Sequence, residues 1–211
     1  MKKRRHLIYI PILHTEGDAG SLAPSLKQAY LKKFGEKKWG EHVSAIEAMW
    51  GAIETGLRSR LLDFAKLKVY QDGLPLCGRE REIVSELAGR GLPNYRLVAW
   101  LAGKGAEVVG TEDPQLLVAE YQFHKKIAEA KKPREKARLT QEFESAAGDL
   151  LVKRDRAISE RISKTLGEGE TGILFIGLLH RVDEFLPRDI RVEYLIRRLP
   201  FRQSLEKQLS A

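Results

Sequence analysis

Gly172-Ile173-Leu174-Phe175-Ile176-Gly177-Leu178-Leu179-His180 decides how this chain is read. An unbroken apolar run suits a parallel strand covered on both faces, because neither face meets water. The run leads into a histidine. Its imidazole therefore falls at the carboxyl end of the strand, where open α/β sheets place their ligands. A second run, residues 7–13, also leads into a histidine, His14. The expectation is a site between these two ends.

Working outward from these runs, short apolar segments alternate with longer helical patterns. Strands are expected at 7–13, 67–71, 107–110, 172–178 and 190–196. Helices are expected at 25–34, 39–64, 79–89, 95–104, 114–130 and 134–166. In the second helix, Val43, Ile46, Trp50, Ile53, Leu57 and Leu61 recur at steps of three and four and form one stripe. Asp113-Pro114 suits a helix start, with Asp as cap and Pro in the first turn. Pro133 breaks the following helical stretch. This order predicts an α/β fold: a mainly parallel sheet with helices on both faces and a long helical excursion. The whole chain, 1–211, reads as a single α/β domain in which 114–166 is a mostly helical insertion.

Composition narrows the class. Hydrophobic residues make up 43% of the 211, enough for a real core. No apolar run reaches the length of a membrane span. Met1-Lys2-Lys3-Arg4-Arg5 reads as a basic lead-in to the first strand, since the run after it contains Pro11 and lacks a small-residue cleavage site. Cys77 is the only cysteine, which is compatible with a reducing, cytoplasmic setting. Asn94 is the only asparagine, and Lys, Arg and Glu are abundant, a bias that suits a thermophile. The net charge of +8 raises the question of nucleic acid. Two of the basic clusters, 27–38 and 125–138, also carry acids and read as solvated helix faces. Zinc-finger, RNP-type and KH-type motifs are missing from the sequence. Nucleic acid is therefore not the expected partner.

The strand ends collect titratable groups. His14 follows the first strand, with Glu16 and Asp18 close by; Asp72 follows the second, Glu112 and Asp113 the third, and His180 the fourth. In a parallel sheet these ends share one edge. Two imidazoles and several carboxylates there can hold a divalent metal with a position open for water. Without metal, the same groups can do general acid–base work. Arg154 lies on the apolar stripe of Ala147, Leu151, Ile158 and Ile162 and so turns towards the sheet. A buried guanidinium needs a partner: a site carboxylate, or an anionic group of a substrate. Walker-type phosphate loops and Gly-x-Ser-x-Gly are missing from the sequence.

At these residues the chain resembles the superfamily that groups erythromycin esterases, the haem-associated ChaN lipoproteins and the TraB/PrgY/Tiki proteins. Gly177-Leu178-Leu179-His180 matches the Gly-x-x-His motif of that group. The segment from Lys153 to Ile162 resembles its Arg-bearing helix, and His14 takes the place of its first histidine. Pro11 stands where many members carry glycine. The resemblance implies a parallel α/β fold and, for Tiki-like members, metal-dependent peptide hydrolysis. On that reading His14, His180 and an acid, Asp72 or Glu112, hold the ion. Glu16 acts as base on bound water, and Arg154 orients a carboxylate or stabilises developing charge. The substrate is then a peptide or small molecule. The alternative is a binding or regulatory protein of the same fold that holds haem or another small ligand without turnover.

Overall fold

A computed structural model of the chain describes residues 4–13 and 23–196. Five strands form one sheet: β1 (Arg5–Ile12), β2 (Leu67–Gln71), β3 (Glu107–Val109), β4 (Thr171–Gly177) and β5 (Ile190–Tyr194). Their order is β3-β2-β4-β1-β5, and every pairing is parallel. The long run that ends before His180 thus lies at the centre of the sheet, between β2 and β1. Residues 173–176 are fully buried, as a strand covered on both sides requires.

Alternation along the strands sends side chains to two separate cores. Ile8, Ile10, Ile12, Val69, Ile173 and Phe175 pack on the first face, against α1 (Ala23–Arg58), α2 (Glu80–Gly89) and α3 (Pro93–Gly103). Leu7, Tyr9, Tyr70, Leu174 and Ile176 pack on the second, against Ile158, Ile162 and Leu166 at the end of α5 (Pro133–Thr165). A 3₁₀ turn, Val182–Phe185, adds Val182 to the second face. The connections towards β3 cross the first face. Those towards β4 and β5 cross the second, as right-handed crossovers require. Gly172 sits where a Cβ would lie 2.8 Å from the Leu7 side chain and 3.1 Å from that of Tyr70, so any larger residue at the start of β4 would force these buried neighbours to shift.

The expected fold class is therefore found, with every strand parallel. The excursion over 114–166 resolves into α4 (Pro114–Glu129) and α5, which pack on each other. No described residue of α4 is buried, and α5 is buried only from Arg154 onward. Two helical boundaries differ from expectation. The helices expected at 25–34 and 39–64 are one stretch, α1, interrupted at Gly35, whose φ of 82° only glycine adopts readily. The stretch also stops early, at Arg58, and leaves Leu61 fully exposed instead of in the stripe. The Arg60 amide turns back to the Leu57 carbonyl, and the Arg60 guanidinium reaches Glu193 on β5 at 2.5 Å. A short 3₁₀ turn, Phe64–Lys66, then leads into the start of β2. No described helix is long and apolar enough to cross a membrane.

Candidate functional site at the carboxyl edge

The strand order reverses direction between β2 and β4. From β2 the chain moves outward to β3 over one face; from β4 it moves to β5 over the other. Such a switch point, beyond the carboxyl ends of the two strands, is the usual ligand position in open α/β sheets. Asp72 lies on one side of it and Gly177–His180 on the other.

Backbone bonds fix both sides. The Asp72 amide donates to the Phe175 carbonyl at 2.9 Å, which carries the β2–β4 pairing one residue past the strand. Gly177, Leu178, Leu179 and His180 form a turn in which the His180 amide donates to the Gly177 carbonyl at 3.0 Å. The Gly-x-x-His spacing is thus the spacing of one tight turn, and it brings the imidazole back over the strand end. Glu112 arrives from β3. Its amide donates to the Leu74 carbonyl at 3.0 Å, and its carbonyl accepts from the Leu76 amide at 2.9 Å. Gly110 permits this approach, since a Cβ there would lie 2.7 Å from Leu76 Cα.

α5 supplies the opposing side. Arg154 and Asp155 are both buried. Consecutive helical residues stand about 100° apart, so a stripe that wide takes both. The Arg154 guanidinium gives Nε and Nη2 to the two oxygens of Glu112, at 3.2 and 2.6 Å. Nη2 also reaches Asp72 Oδ1 at 2.8 Å, and Nη1 reaches Glu120 Oε2 on α4 at 2.6 Å. The second oxygen of Asp72 accepts from the Gly177 amide at 2.9 Å. Asp155 takes the other side of the turn: Oδ1 lies 2.6 Å from His180 Nδ1, and Oδ2 accepts from the Arg181 amide at 3.0 Å. His180 Nε2 then stands 3.6 Å from Asp72 Oδ2. Tyr9 on β1 donates its hydroxyl to the His180 carbonyl at 3.4 Å.

Electrostatics follow from this burial. Loss of water pushes the Glu112 carboxyl up; Arg154 pulls it back and Asp72 adds to the rise, which leaves it at about 7. Burial works against the Arg154 charge. Glu112, Asp72 and Glu120 outweigh that effect and hold the guanidinium above its usual value. Burial also raises the Tyr9 phenol, with Asp183, Tyr194 and Asp155 adding to the rise.

Of the residues expected at the site, the structure brings Asp72, Glu112, Arg154 and His180 together. His14 and Glu16 lie outside the described residues, as does Asp18. Asp113 caps α4, accepting from the Gln115 amide at 2.7 Å. The inward turn of Arg154 and its pairing with a site carboxylate follow the stripe argument. Three contributors were not assigned a role from sequence. Asp155 stands beside Arg154 and could have been found by asking which neighbour shares a wide buried stripe. Glu120 and Tyr9 come from distant segments, and no local spacing marks them.

The donor set can be tested against a divalent ion. Both oxygens of Glu112 and one of Asp72 already accept from Arg154, and the other oxygen of Asp72 accepts from Gly177. The guanidinium stands between the two carboxylates. Among the described residues, no group of three or more His, Cys, Asp or Glu side chains is arranged to hold a metal ion. These residues by themselves therefore do not fit a resident metal.

Comparison with known proteins yields no matching family model, no matching curated protein and no matching solved structure. The resemblance given above therefore rests on its motif residues.

Proposed function

We propose that the chain is a hydrolase in which His180 acts as general base, at the switch point beyond the carboxyl ends of β2 and β4. The observation that supports this most is the 2.6 Å contact between His180 Nδ1 and the buried Asp155 carboxylate. A carboxylate on Nδ1 fixes the tautomer with the proton on that nitrogen and leaves the Nε2 lone pair free. Nε2 takes a proton from water as the water attacks a carbonyl carbon, and the imidazolium returns that proton to the leaving alcohol or amine as the C–O or C–N bond breaks. The carboxylates of Asp155 and Asp72 stabilise the imidazolium that results. Arg154 is spent on Asp72, Glu112 and Glu120, so in this scheme it is a positioning residue that holds the acids of the edge in place. The substrate class, a peptide or ester carbonyl, comes from the motif resemblance.

Asp155→Asn and His180→Ala test the scheme on a panel of ester and peptide substrates. Removal of a general base or its orienting acid is expected to lower kcat by about 100-fold or more. Hydrolysis that survives both variants unchanged would exclude His180 as the base.

A metal-assisted form of the same hydrolysis has one observation in its favour, the 3.6 Å approach of His180 Nε2 to Asp72 Oδ2. It needs His14 as a further ligand. Elemental analysis of the protein and of a His14→Ala, His180→Ala double variant separates the two forms. Unchanged metal content in the double variant removes the ligand assignment. A haem titration followed at the Soret band tests the non-catalytic alternative.

A further inference from the structure

The beginning of α1 carries a feature that the site chemistry does not use. In a straight helix Tyr30 and His42 would stand about 18 Å apart along the axis. Their rings lie 5.3 Å apart, and Tyr30 also meets Trp39 at 5.3 Å and Phe34 at 4.8 Å. The break at Gly35 thus reverses the chain, and the two helical pieces close on each other around these rings. The Lys27 ammonium sits 5.4 Å from the centre of the Trp39 ring and adds to the clasp. Gly35 itself faces open space, since a Cβ there would meet nothing within 4 Å.

The tip of this reversal reads Lys32-Lys33-Phe34-Gly35-Glu36-Lys37-Lys38. Four lysines and one glutamate surround a phenylalanine that is 37% exposed. The four charged residues from Lys32 to Lys38 other than Glu36 are all lysines, and Lys38 is drawn to Glu41 at 2.7 Å. The Lys33 ammonium lies 5.1 Å from the centre of the Phe34 ring, and Tyr30 tilts against the same ring.

We propose that this tip is a peripheral docking element for an anionic lipid surface. Lysines around an exposed apolar side chain match such a surface: ammonium groups meet the phosphates while the apolar group enters the acyl boundary. Tyr30 and Trp39 lie behind Phe34, the residue types that favour the interfacial depth. A nucleic-acid strand is the poorer match. It needs an open aromatic face on which bases stack, whereas the Phe34 ring is already occupied by Lys33 and Tyr30. The lysines also lack the bidentate forks that read base edges. The contact is peripheral, since no described helix spans a membrane.

Flotation of the full chain with lipid vesicles tests the proposal. Vesicles rich in phosphatidylserine are expected to carry the protein, and phosphatidylcholine vesicles are not. Added salt should release it. Each lysine near an anionic surface contributes roughly fivefold in affinity, so Lys32→Gln, Lys33→Gln, Lys37→Gln and Lys38→Gln together should weaken binding by roughly several hundredfold. Phe34→Leu should keep binding and Phe34→Glu should lose it, with unchanged thermal unfolding in both. Wild-type protein that ignores phosphatidylserine, or binds both vesicle types equally, overturns the proposal. So does a lysine variant that binds as well as wild type. Tight binding of a single-stranded oligonucleotide through the same lysines, without vesicle binding, would assign the tip to nucleic acid instead.

Discussion

The two faces of the sheet solve the same packing problem with different chemistry. The first face, under α1, α2 and α3, is closed almost wholly by apolar side chains, with Trp50 against Phe175 and Ile53 and Val98 fully buried. The second face, under α5, places Ile158 and Ile162 over the sheet but carries Arg154 and Asp155 at its carboxyl end. On the second face every one of these charges has a partner. On the first, neutral polar atoms that include Trp50 Nε1 and Gln71 Oε1 are buried without a hydrogen bond. An apolar interior tolerates an occasional neutral orphan, because its cost is about 1–3 kcal/mol. A buried charge without a partner costs more, so charge enters the fold only as a closed network.

The sharpest way to break this contrast is to open the network from its centre. Arg154→Met removes the guanidinium from the buried Asp72 and Glu112 carboxylates, and should lower stability by about 3–5 kcal/mol in denaturant unfolding. Adding Asp72→Asn and Glu112→Gln to that variant should recover much of the loss. A triple variant no more stable than the single one would mean that packing, not charge, sets the cost. On the other face, Ile53→Ala should cost about 2–5 kcal/mol through the cavity it leaves, and no second substitution among charged residues should recover it.

A smaller effect depends on pH. The Glu112 carboxyl is raised from an ordinary 4.5 to about 7 in the folded chain. Between those values the folded chain holds a proton that the unfolded chain has released. Its contribution is therefore full below about 4.5 and is lost as pH rises through about 7. Wild-type stability should fall relative to Glu112→Gln by about 1–3 kcal/mol across that window. Parallel stability curves for the two proteins would remove Glu112 as the titrating group. The smallest change is expected at Gln71→Met on the first face. It removes the orphan acceptor but also the bond from Nε2 to the Asp72 carbonyl, at 3.1 Å. The net effect should stay within about 1 kcal/mol of wild type by thermal unfolding.

The same contrast explains what the sequence discloses. Burial on both sides forces an unbroken apolar run, so β4 and β1 can be read directly from their residues. The α5 stripe discloses Arg154 because a charge at an apolar position is a visible exception. Its partners are not visible in the same way. Asp72 and Glu112 could be placed at strand ends, but whether they meet a metal or a guanidinium depends on which strands are neighbours. That order is set by crossovers across whole helices, and no local pattern records it. Asp155 was hidden beside a more conspicuous neighbour. Glu120 lies on a helix whose described residues show no burial, so nothing in its surroundings distinguishes it from a solvated charge. Periodicity alone places Leu61 in the stripe because the apolar spacing continues past Arg58, where the helix ends.

The central position of β4 also has a consequence for how the chain reaches this structure. β4 is the fourth strand synthesised, yet it fills the gap between β1 and β2. Until residue 177 is available, neither of those strands has its inner neighbour, and each presents an unpaired apolar edge of the kind that invites wrong partners. The sheet therefore closes late, by insertion of a strand and not by addition at a rim. Such long-range pairing is slow relative to helix formation. A nascent chain paused after α5 would thus be rich in helix while its sheet stays open, and it is the species most in need of protection from aggregation.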